Sequence, residues 1–154
     1  MVVYFCDTSA IVKRYVNEPG TTWLIGVTDR TGGNRTLVAA ITGVEAVAAI
    51  TRRQRGGGLT LTDAAAACAA FRHDYANEFG IVAITPKLIT LAMSCAEKHG
   101  LRGYDAMQLA AALVAHERRQ ASKLPPLTLL SADGELNTAA TAEGLVVEDP
   151  NAHP

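Results

Sequence analysis

The chain has 154 residues, 49% of them hydrophobic and 19% charged, so it is long enough to bury a core and too apolar to be disordered. Its 14 basic and 15 acidic residues give a formal charge of −1, which excludes a uniformly basic nucleic-acid binder. The total charge still allows a basic face beside an acidic pocket. Because the sequence has no basic signal-peptide start and no membrane-length apolar stretch, we expect a cytoplasmic protein without a membrane partner.

Five short apolar runs, several of them rich in β-branched residues, predict strands. Their continuous apolar character is typical of strands that are covered on both faces. In chain order they lie at residues 2–6, 36–40, 81–84, 127–130 and 145–148.

Helical patterns fill the segments between these runs. They begin at cap-type residues or proline, and several end at glycine. In chain order the predicted helices lie at residues 10–15, 21–31, 42–55, 62–77, 86–99, 103–119 and 133–143. Alternating strands and helices predict a three-layer α/β domain over residues 1–148, with a mostly parallel sheet of four to five strands flanked by helices. Residues 149–154 are predicted to form a tail.

Four carboxylates fall near the carboxyl ends of the predicted strands. Asp7 follows the first strand directly, and Asp133 lies three residues after the fourth. Glu45 and Asp105 each lie in the first turn of a predicted helix. In open α/β sheets ligands bind beyond this edge, so the four acids can converge there. Each also has a purely structural explanation, as a helix cap or an exposed helix residue.

A cluster of carboxylates without fixed basic partners repels itself unless a cation neutralises it. Ligands that are all oxygen favour Mg²⁺ or Mn²⁺ over zinc. Such ions bind phosphate oxygens and lower the pKa of a bound water, which suits phosphodiester hydrolysis. Ser9 and Ser131 lie two residues from Asp7 and Asp133 and can orient ligands or metal-bound water, although a turn or capping hydroxyl is the more usual role for such serines.

Four motifs, in order and over nearly the whole chain, resemble those of the PIN-domain ribonucleases, in particular the VapC toxins of bacterial toxin–antitoxin pairs. The motifs are Phe5-Cys6-Asp7-Thr8-Ser9, Val44-Glu45-Ala46, Gly103-Tyr104-Asp105-Ala106 within residues 99–112, and Leu129-Leu130-Ser131-Ala132-Asp133. The stretch at 99–112 is the most specific of them.

The resemblance implies a Mg²⁺- or Mn²⁺-dependent endoribonuclease that uses four catalytic acids, namely Asp7, Glu45, Asp105 and Asp133. Three of them, Asp7, Asp105 and Asp133, are the expected metal ligands. The resemblance also implies a homodimer and a small VapB-like antitoxin whose C-terminal segment lies across the active-site groove. The sequence departs from the family after Asp133, where Glu135 adds a carboxylate in place of a basic or polar residue.

Basic residues near these acids are the expected contacts for RNA phosphates. Lys13 and Arg14 follow Asp7 by at most two helical turns, and Arg102 precedes Asp105. The neighbouring Tyr104 is expected to pack. Arg118 and Arg119 lie too far along their helix to reach the acids and are expected on a solvated face.

Two other functions remain open from the sequence. One is a PIN-like nuclease that acts on DNA, or in RNA processing, without an antitoxin. The other is a non-catalytic α/β interaction module whose acids hold a structural metal. A phosphoaspartate receiver is disfavoured, because residues 127–133 contain no lysine and Asp7 has no acidic neighbour.

Overall fold

All 154 residues are described by the computed structural model, and the five predicted strands form. The strands are β1 (Val3–Cys6), β2 (Arg35–Ala39), β3 (Gly80–Val82), β4 (Thr128–Leu130) and β5 (Val146–Glu148). They make one sheet in the order β3-β2-β1-β4-β5. Every neighbouring pair is parallel, so the sheet predicted to be mostly parallel is wholly so.

Seven α-helices connect the strands. They are α1 (Thr8–Ile11), α2 (Thr21–Thr28), α3 (Thr42–Arg55), α4 (Leu61–Asn77), α5 (Pro86–His99), α6 (Gly103–Ala121) and α7 (Gly134–Ala142). None of them combines the length and the apolar character that crossing a membrane requires.

Two predicted helices are shorter than expected, each for a local reason. The Asp7 side chain caps α1 by accepting from the amide of Ala10, so this helix begins early and gives way to a 3₁₀ turn at Val12–Arg14. The helix predicted at 21–31 ends at Thr28, because Asp29 is extended and caps a separate 3₁₀ turn.

Helices cover both faces of the sheet, which confirms the three-layer α/β architecture. Val3 and Phe5 of β1 are buried in a core with α5, α6 and α7. Cys6 is buried in a second core with α1, α3 and α4 on the opposite face. Because helices cover both faces of the sheet, the sequences of its central strands are continuous apolar runs.

The residues predicted as a tail lie against α2. His153 stacks on Trp23, with ring centroids 4.0 Å apart and planes 5° from parallel. Pro150 is buried beside Gly20, whose φ of +88° and missing side chain allow this contact. A Cβ atom at Gly20 would lie 2.2 Å from the Pro150 carbonyl oxygen, so only glycine fits there.

Candidate active site

Asp7 lies at the carboxyl end of β1 and is 3% exposed. Its Oδ1 accepts from the Ala10 amide at 2.9 Å, and Ser9 Oγ lies 2.7 and 2.9 Å from its two oxygens. Ser131 Oγ donates to Oδ2 at 3.0 Å. Both serines predicted to surround the acids therefore contact Asp7, and they fix the plane of its carboxyl group.

The protonation of Asp7 is set by two opposing effects. Burial raises the pKa of this carboxyl group, while its hydrogen bonds with Ser9, Ala10 and Ser131 lower it. The charge of Asp105 raises it further, and the net result is a pKa of about 7. The carboxyl group is thus poised between its two forms near neutral pH.

Glu45 is held through one of its two oxygens. Its Oε1 accepts from Thr8 Oγ1 at 3.1 Å and from Gln108 Nε2 at 2.8 Å. Gln108 also donates to Thr42 Oγ1 at 2.9 Å, and its own Oε1 is buried without a hydrogen-bond partner. No protein donor reaches Glu45 Oε2, which leaves this oxygen for chemistry.

Asp105 is half-buried and accepts no hydrogen bond from the protein. Burial raises the pKa of its carboxyl group, and the charges of Asp133 and Glu45 raise it further. Arg102 lowers the pKa of Asp105 without forming an ion pair with it. These couplings show that the structure brings Asp105 together with the other predicted acids.

Helix capping accounts for two of the acids but not for Asp105. Asp7 caps α1, and Asp133 caps α7 by accepting from the Leu136 amide at 2.9 Å. The residue at the cap of α6 is Arg102, whose side chain makes no capping bond, so Asp105 stabilises no helix end through a hydrogen bond. No side-chain nitrogen of Lys, Arg or His lies within 4.0 Å of a carboxylate oxygen of Asp7, Glu45, Asp105, Asp133 or Glu135.

Three residues around Glu45 were missed at the level of sequence: Thr8, Thr42 and Gln108. Only Gln108 carries a signal that could have identified it. It lies three residues after Asp105, on the same face of α6, and it is a polar residue among apolar neighbours. Its burial, at 2% exposure, then demands hydrogen-bond partners.

The predicted phosphate contacts separate into two groups. Lys13 is buried with its Nζ 3.1 Å from Glu18 Oε2, and Arg14 lies 3.5 Å from Asp74 and 3.6 Å from Glu78. Neither is free to bind phosphate, which corrects the expectation for both. The ion pairs of Arg14 could not be predicted, because its partners Asp74 and Glu78 are some sixty residues away along the chain.

Arg102, by contrast, is exposed and has no carboxylate within 4.0 Å, so it keeps a free charge next to Asp105. Tyr104 was expected to pack, and this is wrong: it is 64% exposed at the start of α6. Beside it lies a cavity of about 510 Å³, lined mainly by apolar residues of α5 and α6.

A separate group of potential metal ligands lies on α4 and just after it. Ligand atoms of His73, Asp74 and Glu78 fall within 4.8 Å of one another. Arg14 already pairs with both carboxylates, and Tyr15 donates to Asp74 at 2.6 Å. The acids at the carboxyl edge of the sheet are spaced more widely, but they are all oxygen donors without basic partners, which fits a hard divalent cation.

Comparison with known proteins identifies the fold. No family model matches the sequence, and no curated protein matches it in sequence. A structure from Pyrobaculum aerophilum, PAE2754, is 20% identical over 98% of this chain and 85% of its own, with a TM-score of 0.65.

Two further solved structures are also similar. VapBC2 from Rickettsia felis, bound to a DNA fragment from its promoter, is 12% identical over 96% of this chain and 98% of its own, with a TM-score of 0.63. VapC20 from Mycobacterium tuberculosis, a toxin that cleaves the sarcin-ricin loop, is 18% identical over 98% of this chain and 99% of its own, with a TM-score of 0.56. The chain therefore has the VapC-type PIN-domain fold, as the four motifs predicted.

Proposed function

We propose that this protein is a divalent-metal-dependent endoribonuclease and the toxin of a toxin–antitoxin pair. The observation that carries the proposal is Asp105, a half-buried carboxylate that accepts no hydrogen bond, forms no ion pair within 4.0 Å and is set among other carboxylates. Holding such a group in the fold is unfavourable unless it serves a ligand. The similarity to VapC structures supports the choice of RNA as the substrate.

Asp7, Asp105 and Asp133 would hold Mg²⁺ or Mn²⁺, which would stabilise the charge that develops on the phosphate and acidify a water. Ser9 and Ser131 keep both oxygens of Asp7 in one plane. Glu45, clamped through Oε1, offers Oε2 to take a proton from the attacking water. Arg102 is placed to bind a phosphate oxygen of the substrate.

The proposed partners follow from the same structural similarity. Several similar structures are toxin–antitoxin complexes, which supports a small VapB-like antitoxin as the inhibitor. A homodimer is proposed on the resemblance of the motifs to the VapC toxins. Co-purification with the product of a neighbouring short reading frame, and the mass of the purified protein in solution, test these two partners.

Replacement of the central acids tests the activity. We expect Asp7→Asn and Asp105→Asn each to lower Mn²⁺-dependent cleavage of a random-sequence RNA pool at least about 100-fold, because each removes a charge that the divalent cation needs. EDTA should abolish cleavage by the wild type. The measurement is the initial rate of cleavage of end-labelled RNA, and the same assay on DNA tests the alternative substrate.

The matched control is Asp63→Asn, which changes an exposed acid in the first turn of α4. It should cleave at the wild-type rate. Cleavage that survives EDTA, or that survives either central substitution, would contradict the proposed mechanism.

A further inference from the structure

Three arginines without carboxylate partners line one cleft at the amino edge of the sheet, opposite the acids. Arg35 begins β2, and Arg118 and Arg119 lie near the end of α6. Together with Val3 and Gly80, where β1 and β3 begin, they line a cavity of about 310 Å³. No acidic residue lines this cavity.

The arginines of this cleft, the Arg35–Arg118–Arg119 cleft, are free of ion pairs. None of them has a carboxylate oxygen within 4.0 Å. Arg35 and Arg118 are exposed. Arg119 uses its Nε to donate to the Pro125 carbonyl oxygen at 2.8 Å, which anchors the side chain and leaves its two terminal nitrogens available.

The backbone of β3 makes room for Arg35. A Cβ atom at Gly80 would lie 3.3 Å from Arg35 Nη2 and 2.5 Å from Leu37 Cδ2. The missing side chain therefore lets the Arg35 guanidinium lie across the start of β3. Nearby, Lys123 adopts a φ of +55°, which lysine rarely adopts, and it stands between two residues that line the cleft, Ser122 and Leu124.

We propose that the Arg35–Arg118–Arg119 cleft binds phosphate groups of RNA, as a second contact distinct from the site of cleavage. The planar guanidinium fork matches two phosphate oxygens at once, and three such forks in one cavity form a concentrated anion site. The choice of RNA over another polyanion rests on the proposed function. The carboxyl edge supports RNA as the ligand of the cleft, because that edge offers RNA phosphates only one free cation. Lys13 and Arg14 are paired with acids there, and Arg102 is a free cation among five carboxylates.

The two edges are separated by the length of β1. The four residue-to-residue steps from Val3 to Asp7 span about 13 Å, at about 3.3 Å per step in a parallel strand. An RNA that contacts both the cleft and the acids must therefore span at least about 13 Å between its bound phosphates. RNA shorter than this cannot reach both.

Binding without cleavage tests this site. A labelled 20-nucleotide random-sequence RNA is titrated in EDTA with the wild type and with the double variant Arg35→Ala/Arg118→Ala, and fluorescence anisotropy is recorded at several salt concentrations. We expect the double variant to bind at least about tenfold more weakly. The slope of log K against the logarithm of the salt concentration should become less steep by about 1.4, which is about 0.7 for each lost phosphate contact.

The matched control is Arg52→Ala/Arg55→Ala, which removes two exposed and unpaired arginines from the last turn of α3. It should bind within about twofold of the wild type. Equal weakening by both double variants would assign the effect to net charge and overturn the proposal, as would unchanged binding by Arg35→Ala/Arg118→Ala. Tighter, cleft-dependent binding of a poly-glutamate peptide would overturn it in favour of an acidic protein partner.

The outcome for the cleft separates from the outcome for the acids. Asp105→Asn should bind RNA in EDTA at least as tightly as the wild type, since it removes a negative charge. A wild type that binds RNA through the cleft but cleaves no RNA contradicts the proposed function and supports the cleft. If the wild type cleaves RNA but Arg35→Ala/Arg118→Ala leaves RNA binding unchanged, the proposed function is supported and the proposal for the cleft is contradicted.

Discussion

At the scale of single residues, Asp7 links the chemistry of the site to the stability of the fold. Burial raises its pKa from the ordinary value near 4 to about 7, so the folded protein holds this proton more tightly than the unfolded chain. Its contribution to stability is therefore retained below about pH 4 and is lost as the pH rises from about 4 to about 7. At higher pH the ionised carboxylate is buried without a cation.

We therefore expect Asp7→Asn to be more stable than the wild type at pH 8 in EDTA. The thermal midpoint should rise by several degrees, at about 2–4 °C for each kcal/mol in a chain of this size. The difference should shrink toward pH 4, where both side chains are neutral. Thermal unfolding followed by circular dichroism measures this difference in midpoint, with Asp63→Asn as the control. A difference that stays constant with pH would show that ionisation of the buried Asp7 carboxyl group is not its cause.

Gln108 shows how a buried amide can serve the site at the expense of the fold. It clamps Glu45 Oε1, while its own carbonyl oxygen is buried without a partner, a loss of about 1–3 kcal/mol for such a group. Leucine has a similar size and would remove that unpartnered oxygen. It would also release Glu45.

Gln108→Leu should lower the rate of RNA cleavage about tenfold without lowering the thermal midpoint, because Glu45 loses a donor that positions it. A tenfold change corresponds to about 1.4 kcal/mol in the barrier. The control is Gln120→Leu, the same change at an exposed position of α6. If Gln108→Leu instead lowers the midpoint and cleaves at the wild-type rate, Gln108 serves only the fold.

At the scale of elements, local patterns were enough to locate the strands and helices and to place the acids. Asp7, Glu45, Asp105 and Asp133 could be assigned to one edge because parallel strands end together. The contacts that complete the site were beyond prediction, since they join distant segments. Ser131 reaches Asp7 across 124 positions, and Gln108 reaches Glu45 across 63.

Helix α6 positions Asp105 and Gln108 through a face of small residues. Ala106, Ala110 and Ala111 are fully buried in the core shared with the sheet and α5. Their size lets the helix approach its neighbours closely. Any larger side chain on this face must displace packed atoms.

We expect Ala111→Leu to lower the free energy of unfolding by about 1–3 kcal/mol through overpacking. Ala121→Leu, at the exposed end of the same helix, should change it by less than about 0.5 kcal/mol. Urea unfolding at equilibrium measures both. Equal stabilities for the two variants would show that the buried face of α6 tolerates added volume.

At the scale of the whole molecule, a formal charge of −1 conceals a separation of charge. Five carboxylates without basic partners gather at the carboxyl edge of the sheet, and three arginines without acidic partners line a cleft at the amino edge. Composition reported only the sum. The parallel sheet produces the separation, because it places the residues that precede strands and those that follow them at opposite ends of the domain.

The order of strands also sets when the site can exist during synthesis. β1 is made first and lies at the centre of the sheet, but β4, its neighbour on one side, begins at Thr128. Asp7 therefore lacks Ser131 until the ribosome has added 124 further residues, and Asp133 follows two residues later. At about 5–20 residues per second, that delay is on the order of 6–25 seconds. Until then the nascent chain holds Asp7 without Ser131 and Asp133, so the acid edge is complete only after β4 and the residues that follow it have been made.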